Sequence, residues 1–189
     1  MALGPVSEDD LALLQRLYSD PLVSGEHEWH GWQDTRWLRR EWEENGLLGE
    51  DRGTLMARKG DDTLGFVAWR RRSYGPHSPC WIVSIALKPE ARGHGHGTEA
   101  QRQLTRYLFA HTRANRIEAG TEITNVGEQR ALEKAGFTRE GVLRGALFRR
   151  GQWHDCAFYG VLRAEVDLDD GVPATARSAR SAGPSQRLR

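Results

Sequence analysis

The sequence lacks the features that mark membrane, disulfide-bonded and zinc-binding proteins. No apolar run approaches the roughly 18 residues of a membrane-spanning helix, and the N-terminus lacks the charged and apolar pattern of a secretory signal. The two cysteines, Cys80 and Cys156, lie far apart without a C-x-x-C motif, so neither a redox motif nor a zinc site is indicated. We therefore expect a cytoplasmic protein with no membrane association, in which both cysteines are buried free thiols.

Length and composition are those of an ordinary globular protein. The 189 residues suffice for one domain with a substantial core, and 38% of them are hydrophobic and 28% charged. Residues 171–189 carry four arginines and no acid, so subtracting this +4 from the formal net charge of +1 leaves −3 on residues 1–170. We predict one domain over residues 1–166 and a disordered tail over residues 167–189. Separated arginines without aromatics give little support for nucleic-acid binding.

Periodicity and turn residues predict a mixed sheet flanked by helices. Apolar alternation predicts strands at residues 54–58, 63–69, 81–87, 116–124, 142–149 and 153–162. Helices are expected before Asp20-Pro21, after Asp34, near Gly97 and after Asn125. The strand, helix and strand from residue 81 to residue 124 predict a parallel pair, whereas the two hairpins predict antiparallel pairs. The fold class is therefore α/β (α+β), with a mixed and mostly antiparallel sheet.

The stretch from Ile85 to Gln101 carries the strongest functional motif. A strand ends at Lys88-Pro89, and glycines follow at positions 93, 95 and 97 before a helix begins. Closely spaced glycines let the backbone turn tightly around a ligand, and N–H groups at a helix start attract phosphate. Because Arg92 stands at the start of this turn, we predict an anion-binding site.

Three other interpretations of the glycine turn compete with a phosphate site of this kind. A P-loop requires a lysine that the turn lacks, so nucleoside triphosphate chemistry is disfavoured. Gly95-x-Gly97-x-x-Ala100, with Glu118 about 20 residues later, matches the loose dinucleotide-binding fingerprint, although that fingerprint usually opens on an early strand. A surface turn without a ligand is the third interpretation, which Arg92 and the strand-to-helix context weaken.

Several motifs in order resemble the GNAT superfamily of acetyl-CoA-dependent N-acetyltransferases. They are Leu87-Lys88-Pro89, Arg92-x-x-Gly95-x-Gly97, Thr98-Glu99-Ala100, Arg116-Ile117-Glu118-Ala119, Asn125 and Leu132-Glu133-Lys134-Ala135-Gly136-Phe137. More narrowly, the chain is similar to the branch that contains the ribosomal-protein alanine N-acetyltransferases and also acetylates many small amines. The resemblance implies acetyl transfer from acetyl-CoA to a primary amine in a direct ternary complex. It also implies a single GNAT-like domain whose central parallel strands splay apart.

The resemblance further implies a coenzyme A site along this stretch and no metal. The pyrophosphate is expected on the Arg92 guanidinium and on the backbone of Gly93, His94, Gly95, His96, Gly97 and Thr98. The pantetheine arm is expected along Ser84, Ile85, Ala86 and Leu87, with Asn125 nearby. A free N–H between Ile85 and Leu87 would stabilise the oxyanion of the thioester. Although His94 and His96 have a metal-like spacing, their side chains are expected to point into solvent.

Amide formation requires a neutral amine, which constrains the catalytic candidates. A lysine-like amine has a pKa of about 10.4 and an α-amine of about 8, so a base or a water chain must remove a proton. Glu118 and Glu122 share one face of a strand beside the implied cleft, and Glu118 is the first candidate base. Ion pairing or exposure to solvent is the competing explanation for both. The tyrosine acid of many superfamily members is absent, so Tyr159 and Ser84 are the candidate acids.

The acceptor is the least defined part of the prediction. In the family, the connector between the first two helices borders the acceptor pocket, which implies that Trp29, His30 and Trp32 line it. Packing of these tryptophans on the sheet is an equally good explanation. A small amine or a peptide N-terminus is the expected partner, and the chain is expected to be a monomer or a homodimer. Two other function classes stay open: a non-catalytic acyl-CoA-binding module and a dinucleotide-dependent oxidoreductase.

Overall fold

The computed structural model describes residues 1–168, which contain seven strands and five α-helices. The strands are β1 (Ala2–Gly4), β2 (Arg52–Lys59), β3 (Asp62–Ser73), β4 (Pro79–Leu87), β5 (Arg116–Glu122), β6 (Thr138–Arg149) and β7 (Gln152–Leu162). The helices are α1 (Leu11–Ser19), α2 (Pro21–Ser24), α3 (Arg36–Asn45), α4 (His96–His111) and α5 (Val126–Ala135). Short 3₁₀ turns cover Glu8–Asp10, Pro89–Ala91 and Arg163–Glu165.

All seven strands form one sheet in the order β1-β2-β3-β4-β5-β7-β6. Pairing is antiparallel throughout except between β4 and β5, which run parallel at the centre. The predicted mixed and mostly antiparallel α/β sheet is thus confirmed. Two features were not predicted: the three-residue strand β1, and the insertion of β7 between β5 and β6.

The central parallel pair separates soon after it begins. Along the described strands, the ladder between β4 and β5 has two residue pairs, with Trp81 opposite Ile117 and Ile82 opposite Glu118. By contrast, the β3–β4 ladder continues to Leu87, and the β5–β7 ladder continues to Glu122. Each central strand therefore follows the twist of its antiparallel neighbour, and a gap opens between them. The predicted splay is confirmed, and backbone groups that face this gap have no partner strand across it.

Two apolar layers hold the helices against the sheet. On one face, the buried α4 residues Leu104 and Leu108 share a core with Val67 of β3 and Ile117 of β5. On the other face, α1 and α3 share a second core with β2 and β3, whose members include Leu14, Leu38, Met56 and Phe66. Burial of each such leucine stabilises the fold by about 1.5–3 kcal/mol. The two layers fix α4 and the N-terminal helices on opposite sides of the gap.

Local sequence signals set the ends of the N-terminal helices. Helix α1 ends at Ser19, as predicted from the following Asp20-Pro21, and the Asp20 carboxylate caps α2 by accepting from the Leu22 N–H at 3.0 Å. The one-turn helix α2 lies at the start of the connector between the first two predicted helices and was not predicted. Helix α3 ends at Gly46, which has a φ of 69°.

The remaining predictions on compartment and domain boundaries are tested only in part. Cys80 and Cys156 are both free and buried, as predicted. Within residues 1–168, no helix combines the length and the apolar character needed to cross a bilayer. Within residues 1–168, the last element is the 3₁₀ turn Arg163–Glu165, and the domain boundary at residue 166 stays a prediction. The predicted tail lies outside the described residues from residue 169 onward.

Candidate active site

The glycine turn connects the end of β4 to the start of α4. Gly93 and Gly95 have φ values of 77° and 78°, which favour glycine because a Cβ is strained in this region. A Cβ built on either residue meets no atom of residues 1–168 within 4 Å, so the requirement comes from backbone conformation rather than crowding. Helix α4 starts at His96, and the N–H groups of its first turn have no acceptor within the helix. The turn therefore presents free donors at a helix N-terminus.

A cavity of about 550 Å³ lies against this turn. Four segments line it: the turn, the end of β4, one face of α5 together with its capping residue, and the stretch from the last residue of α2 to Glu28. Its lining residues are Ser24, Gly25, Glu26, His27, Glu28, Ile85, Ala86, Leu87, Arg92, Gly93, Gly95, Gly97, Thr98, Asn125, Gly127, Glu128, Arg130, Ala131 and Lys134. A volume of this size suits a small-molecule or cofactor site. Most of the predicted cofactor residues are therefore brought together.

Arg92 binds the walls of the large cavity to each other. Its Nε donates to the Leu87 carbonyl at 3.0 Å, and its Nη2 donates to the Val23 and Ser24 carbonyls at 2.5 and 3.0 Å. The latter two carbonyls lie at the end of α2, where helix carbonyls lack intrahelical partners. The guanidinium thus places a positive charge at the cavity and anchors α2 to the end of β4.

Two cations of α5 that the sequence analysis missed also line the large cavity. Arg130 and Lys134 lie four residues apart, and residues with this spacing share one helix face. Asn125 begins the same helix, and its Oδ1 accepts from the Glu128 N–H at 3.2 Å. The capping role of Asn125 is therefore present, and the residue also lines the cavity where the pantetheine arm is expected.

A second cavity of about 60 Å³ lies in the gap between the splayed strands. Its walls are Val83, Ser84 and Ile85 of β4, Ala119, Gly120 and Thr121 of β5, together with Gln101, Glu28 and Glu128. Because Ile85, Glu28 and Glu128 line both cavities, the two spaces adjoin at these residues.

The Glu118 carboxylate lies within an ion-pair network rather than in the cleft. Its side chain is 0% exposed, and it accepts from Arg116 Nε at 2.6 Å, Tyr74 Oη at 2.7 Å and Arg72 Nη1 at 3.3 Å. Glu118 lines neither of the two cavities. Its two oxygens are thus occupied by three donors and do not face either cavity. This geometry favours the ion-pair explanation over the general-base role.

Glu122 and Tyr159 are likewise engaged away from the gap. The buried Glu122 carboxylate forms an ion pair with Arg149 and accepts from Thr124 Oγ1 at 2.6 Å. Tyr159 is buried in the core, and its hydroxyl donates to Glu133 Oε1 at a distance of 3.2 Å. Burial and the Glu133 charge raise the pKa of this hydroxyl. Of the four catalytic candidates, Ser84 is the one that lines the small cavity.

The predicted acceptor residues lie just beyond the segment that lines the large cavity. Residues 24–28 line it, whereas Trp29, His30 and Trp32 do not. Trp29 and Trp32 contact each other edge to face, with ring centroids 6.0 Å apart, and Trp32 is 81% exposed. Burial lowers the pKa of His30. The part of the connector that lines the cavity is therefore the segment before Trp29, and the three predicted acceptor residues do not line it.

Two glutamates that the sequence analysis missed face the cleft. Burial raises the pKa of Glu28 to about 7, against a smaller lowering by Arg149 and Arg92. Burial, followed by the neighbouring charge of Glu28, raises the pKa of Glu128 to about 8. The Glu28 side chain is nevertheless exposed to solvent and Glu128 is half-buried, so screening by water reduces both pKa shifts. Such shifts in a cleft mark candidate functional residues.

Within the described residues, no three His, Cys, Asp or Glu side chains are grouped to hold a metal ion. The rings of His94 and His96 stack with centroids 6.1 Å apart, and His94 Nδ1 lies 2.7 Å from the Arg92 carbonyl. The exposed His94 side chain therefore contacts its own turn.

A mixed sheet with a splayed central parallel pair and a glycine turn at the start of the central helix is the GNAT architecture. Residues 1–138 match the family described as the acetyltransferase (GNAT) domain, and the chain belongs to this family. The predicted resemblance is thereby confirmed. The dinucleotide interpretation loses its support, because a dinucleotide-binding fold requires a mostly parallel sheet.

Curated relatives and solved structures agree with this family. The chain is 40% identical over 84 residues to "Probable N-acetyltransferase YjcK" of Bacillus subtilis, which covers 44% of this chain and 46% of that relative. Matches to two further Bacillus subtilis relatives cover 64% and 45% of their lengths, so the chain spans about half to two thirds of these proteins.

Two solved structures share the fold over most of the chain. A spermidine N-acetyltransferase of Vibrio cholerae, in complex with CoA and spermine, has a TM-score of 0.72 and 17% identity, covering 87% of this chain and 96% of that one. A ribosomal-protein-alanine N-acetyltransferase of Brucella melitensis has a TM-score of 0.68 and 21% identity, covering 86% and 99%. At these identities the likeness establishes the fold.

Proposed function

We propose that this protein transfers an acetyl group from acetyl-CoA to a primary amine by direct attack in a ternary complex. The observation that carries the proposal is the separation of β4 from β5 after Ile82 and Glu118. Backbone groups of β4 that lack a strand partner are available to the amide groups of the pantetheine arm. A free N–H between Ile85 and Leu87 would then stabilise the oxyanion that forms on the thioester carbonyl.

The cofactor's phosphates fit the glycine turn and its cations. The N–H groups of the first turn of α4, with Arg92 beside them, would hold the pyrophosphate by charge-assisted bonds of about 1.5–3 kcal/mol each. Arg130 and Lys134 add positive charge on the opposite wall of the large cavity. The Vibrio cholerae neighbour was solved with CoA, which supports the same cofactor here. The proposed reaction uses no metal.

A cationic amine is the acceptor class that the site favours. Glu26 and Glu28 line the large cavity in the segment that follows α2, and carboxylates attract an ammonium group. The neighbours' names give spermidine and the alanine of a ribosomal protein as acceptors, which supports an amine acceptor here. A small amine or a protein N-terminus is therefore proposed as acceptor. We also propose that the protein is cytoplasmic and that it is a monomer or a homodimer. Its catalytic domain is proposed to span residues 1–166.

The proposal is tested by release of the coenzyme A thiol over a panel of polyamines, amino acids, aminoglycosides and N-terminal peptides. We expect release with at least one amine, and calorimetric binding of acetyl-CoA but not of NAD or NADP. Binding without release over the whole panel would instead identify a non-catalytic acyl-CoA-binding module. No binding of acetyl-CoA would overturn the proposal.

A pair of glycine variants separates loss of the cofactor site from general backbone strain. Gly95 and Gly151 both have a φ of 78°, and a Cβ on either one meets nothing within 4 Å among residues 1–168. Valine costs a similar strain at both positions. We expect Gly95→Val to abolish acetyl-CoA binding, whereas Gly151→Val in the β6–β7 turn leaves it intact. Equal binding by both variants would exclude the turn as the phosphate site.

A further inference from the structure

We propose that Glu28 and Glu128, on opposite walls of the cleft, hold one proton between the two carboxyls at neutral pH, with Glu28 as the base for the acceptor amine and Glu128 as the acid for the departing thiolate. The inference rests on the proposed acetyl transfer and assigns its proton transfers to two residues on opposite walls. Gln101 is proposed as a positioning residue, which acts on Glu128 and on water in the small cavity.

The two carboxyl groups stand where the two cavities adjoin. Glu28 follows α2 on the acceptor side, whereas Glu128 lies in the first turn of α5 on the cofactor side. Glu128 shares its helical turn with Asn125, beside which the pantetheine arm is expected. Ile85 of β4 also lines both cavities, so the reactive end of the cofactor would pass between the two glutamates.

Gln101 supplies an independent indication that polar ligands enter the small cavity. Its side chain is 2% exposed and lines the small cavity with Glu28 and Glu128. Although its amide lies beside the Glu128 carboxyl, neither Nε2 nor Oε1 has a partner of hydrogen-bond geometry among the described residues. Buried side-chain polar atoms are normally satisfied. A cavity of about 60 Å³ with polar walls has room for water that would satisfy them.

The surrounding charges favour one shared proton at neutral pH. Glu28 faces Arg149 of β6 and Arg92 of the glycine turn, which lower its pKa, while burial raises that pKa to about 7. Glu128 faces Glu28, and burial together with this like charge raises its pKa to about 8. The charge of Glu28 opposes ionisation of Glu128, so the titrations of the two carboxyls are coupled. Glu128 keeps the proton while Glu28 is the first to lose it.

Other titratable groups around the pair do not replace it. Tyr18 of α1 faces Glu28, and burial raises the pKa of its hydroxyl to about 12, so it stays protonated. His27 lines the same large cavity, and burial lowers the pKa of its imidazole. Glu26, Arg130 and Lys134 complete the charged lining of the large cavity.

The proton balance of the reaction closes with this pair. Glu28 takes one proton from the acceptor ammonium, and the neutral amine forms the new C–N bond at the thioester carbonyl. As the C–S bond breaks, the sulfur takes the electron pair and the Glu128 proton, which yields the free thiol. The nitrogen of the new amide then returns its surplus proton to Glu128, through water held by Gln101. Glu28 finally releases its proton to solvent, so each turnover releases one proton.

The test measures the pH dependence of kcat at saturating acetyl-CoA and amine for wild type and variants. Wild type should give a bell-shaped profile with limbs near pH 7 and 8. Glu28→Gln should lower kcat by about 10²–10⁴ and abolish the rising limb. Glu128→Gln should lower kcat by roughly 10–100-fold and abolish the falling limb, because thiolate loss needs less acid assistance. Coenzyme A affinity should change less than threefold in both.

Two further variants complete the experiment. Because the Gln101 amide lowers the pKa of Glu128, Gln101→Met should shift the falling limb to higher pH without changing coenzyme A affinity. Glu44→Gln, an equivalent change at an exposed position of α3, should match wild type throughout. Wild-type profiles and rates in both Glu28→Gln and Glu128→Gln would overturn the pair while leaving acetyl transfer in place.

A measurement without turnover distinguishes failure of the pair from failure of the proposed function. A Glu128 pKa that is higher in the folded chain than in the unfolded one makes the folded chain bind more protons between pH 4.5 and about 8. Unfolding free energy should therefore fall as pH rises through this window. Glu128→Gln should lose the Glu128 part of that fall and keep the part from Glu28, whereas Glu44→Gln should keep both. Parallel curves for all three proteins would overturn the pair, even if no amine in the panel were acetylated.

Discussion

Replacing Glu118 by glutamine separates an ion-pair role from a general-base role. Glutamine keeps the size of the side chain and removes its charge. The buried carboxylate now holds Arg116 and Arg72 and accepts from the Tyr74 hydroxyl. In the variant, one amide oxygen replaces two carboxylate oxygens, and the amide NH₂ group faces a guanidinium. The ion-pair role therefore predicts a loss of stability with little loss of activity.

The size of the stability loss follows from which partners are left without a counter-charge. Removing one member of a buried ion pair typically costs about 3–5 kcal/mol. Here Arg116 keeps its pair with Glu140, and the Arg72 side chain is 39% exposed, so water compensates part of the loss. We expect unfolding to become easier by about 2–3 kcal/mol. For a domain of this size, that lowers the unfolding midpoint by roughly 4–12 °C.

Urea and thermal unfolding measure the loss, and thiol release at a temperature where both proteins are folded measures activity. We expect kcat/KM of Glu118→Gln to stay within threefold of wild type. The control Glu44→Gln should change the unfolding free energy by less than about 0.5 kcal/mol. A fall of about 10²–10⁴ in kcat/KM with an unchanged unfolding midpoint would return the base to Glu118 and refute the ion-pair argument.

Two further substitutions test how the cofactor walls are built. Arg92→Ala should raise the acetyl-CoA KM, and Arg92→Lys should not restore it, because one ammonium cannot reproduce the planar fork that spans three backbone carbonyls; an unchanged KM would remove Arg92 from the site. Gly65→Ala places a Cβ 2.1 Å from the Ala86 carbonyl oxygen, so β4 must shift. This shift should lower the unfolding free energy and raise the acetyl-CoA KM. Gly60→Ala, at an open turn position with a φ of 60°, is its control, and equal effects on KM would contradict this explanation.

Strong periodic signals predicted most of the fold. The alternation at residues 81–87 and the capping residue Asn125 led to β4 and α5 as the structure has them. Short elements escaped, because Ala2–Gly4 spans too few residues for a period to show. The insertion of β7 beside β5 was not predicted for a different reason. Strand order depends on which apolar faces pack together, and local propensity does not encode it.

Local backbone chemistry was also what made the cofactor turn predictable. The positive φ values at Gly93 and Gly95 can be predicted from residue type, because glycine adopts them without strain. The ion-pair partners of Glu118 carry no such signal, since Arg72 belongs to another strand 46 residues earlier in the chain. From the sequence alone, a carboxylate beside an implied cleft and one held by arginines look the same. The shifted pKa values of Glu28 and Glu128 likewise arise from burial that only the assembled cavity produces.

The acceptor wall is held in place from both sides by arginines. Arg92, from the glycine turn, donates to the Ser24 carbonyl, and Arg149, from β6, donates to the Glu26 carbonyl. These bonds join the backbone of the segment before Glu28 to the cofactor turn on one side and to the β6–β7 hairpin on the other. Both guanidinium groups also lower the pKa of Glu28. The same two residues thus set where this carboxyl stands and how readily it gives up its proton, which couples cofactor-side structure to acceptor-side chemistry.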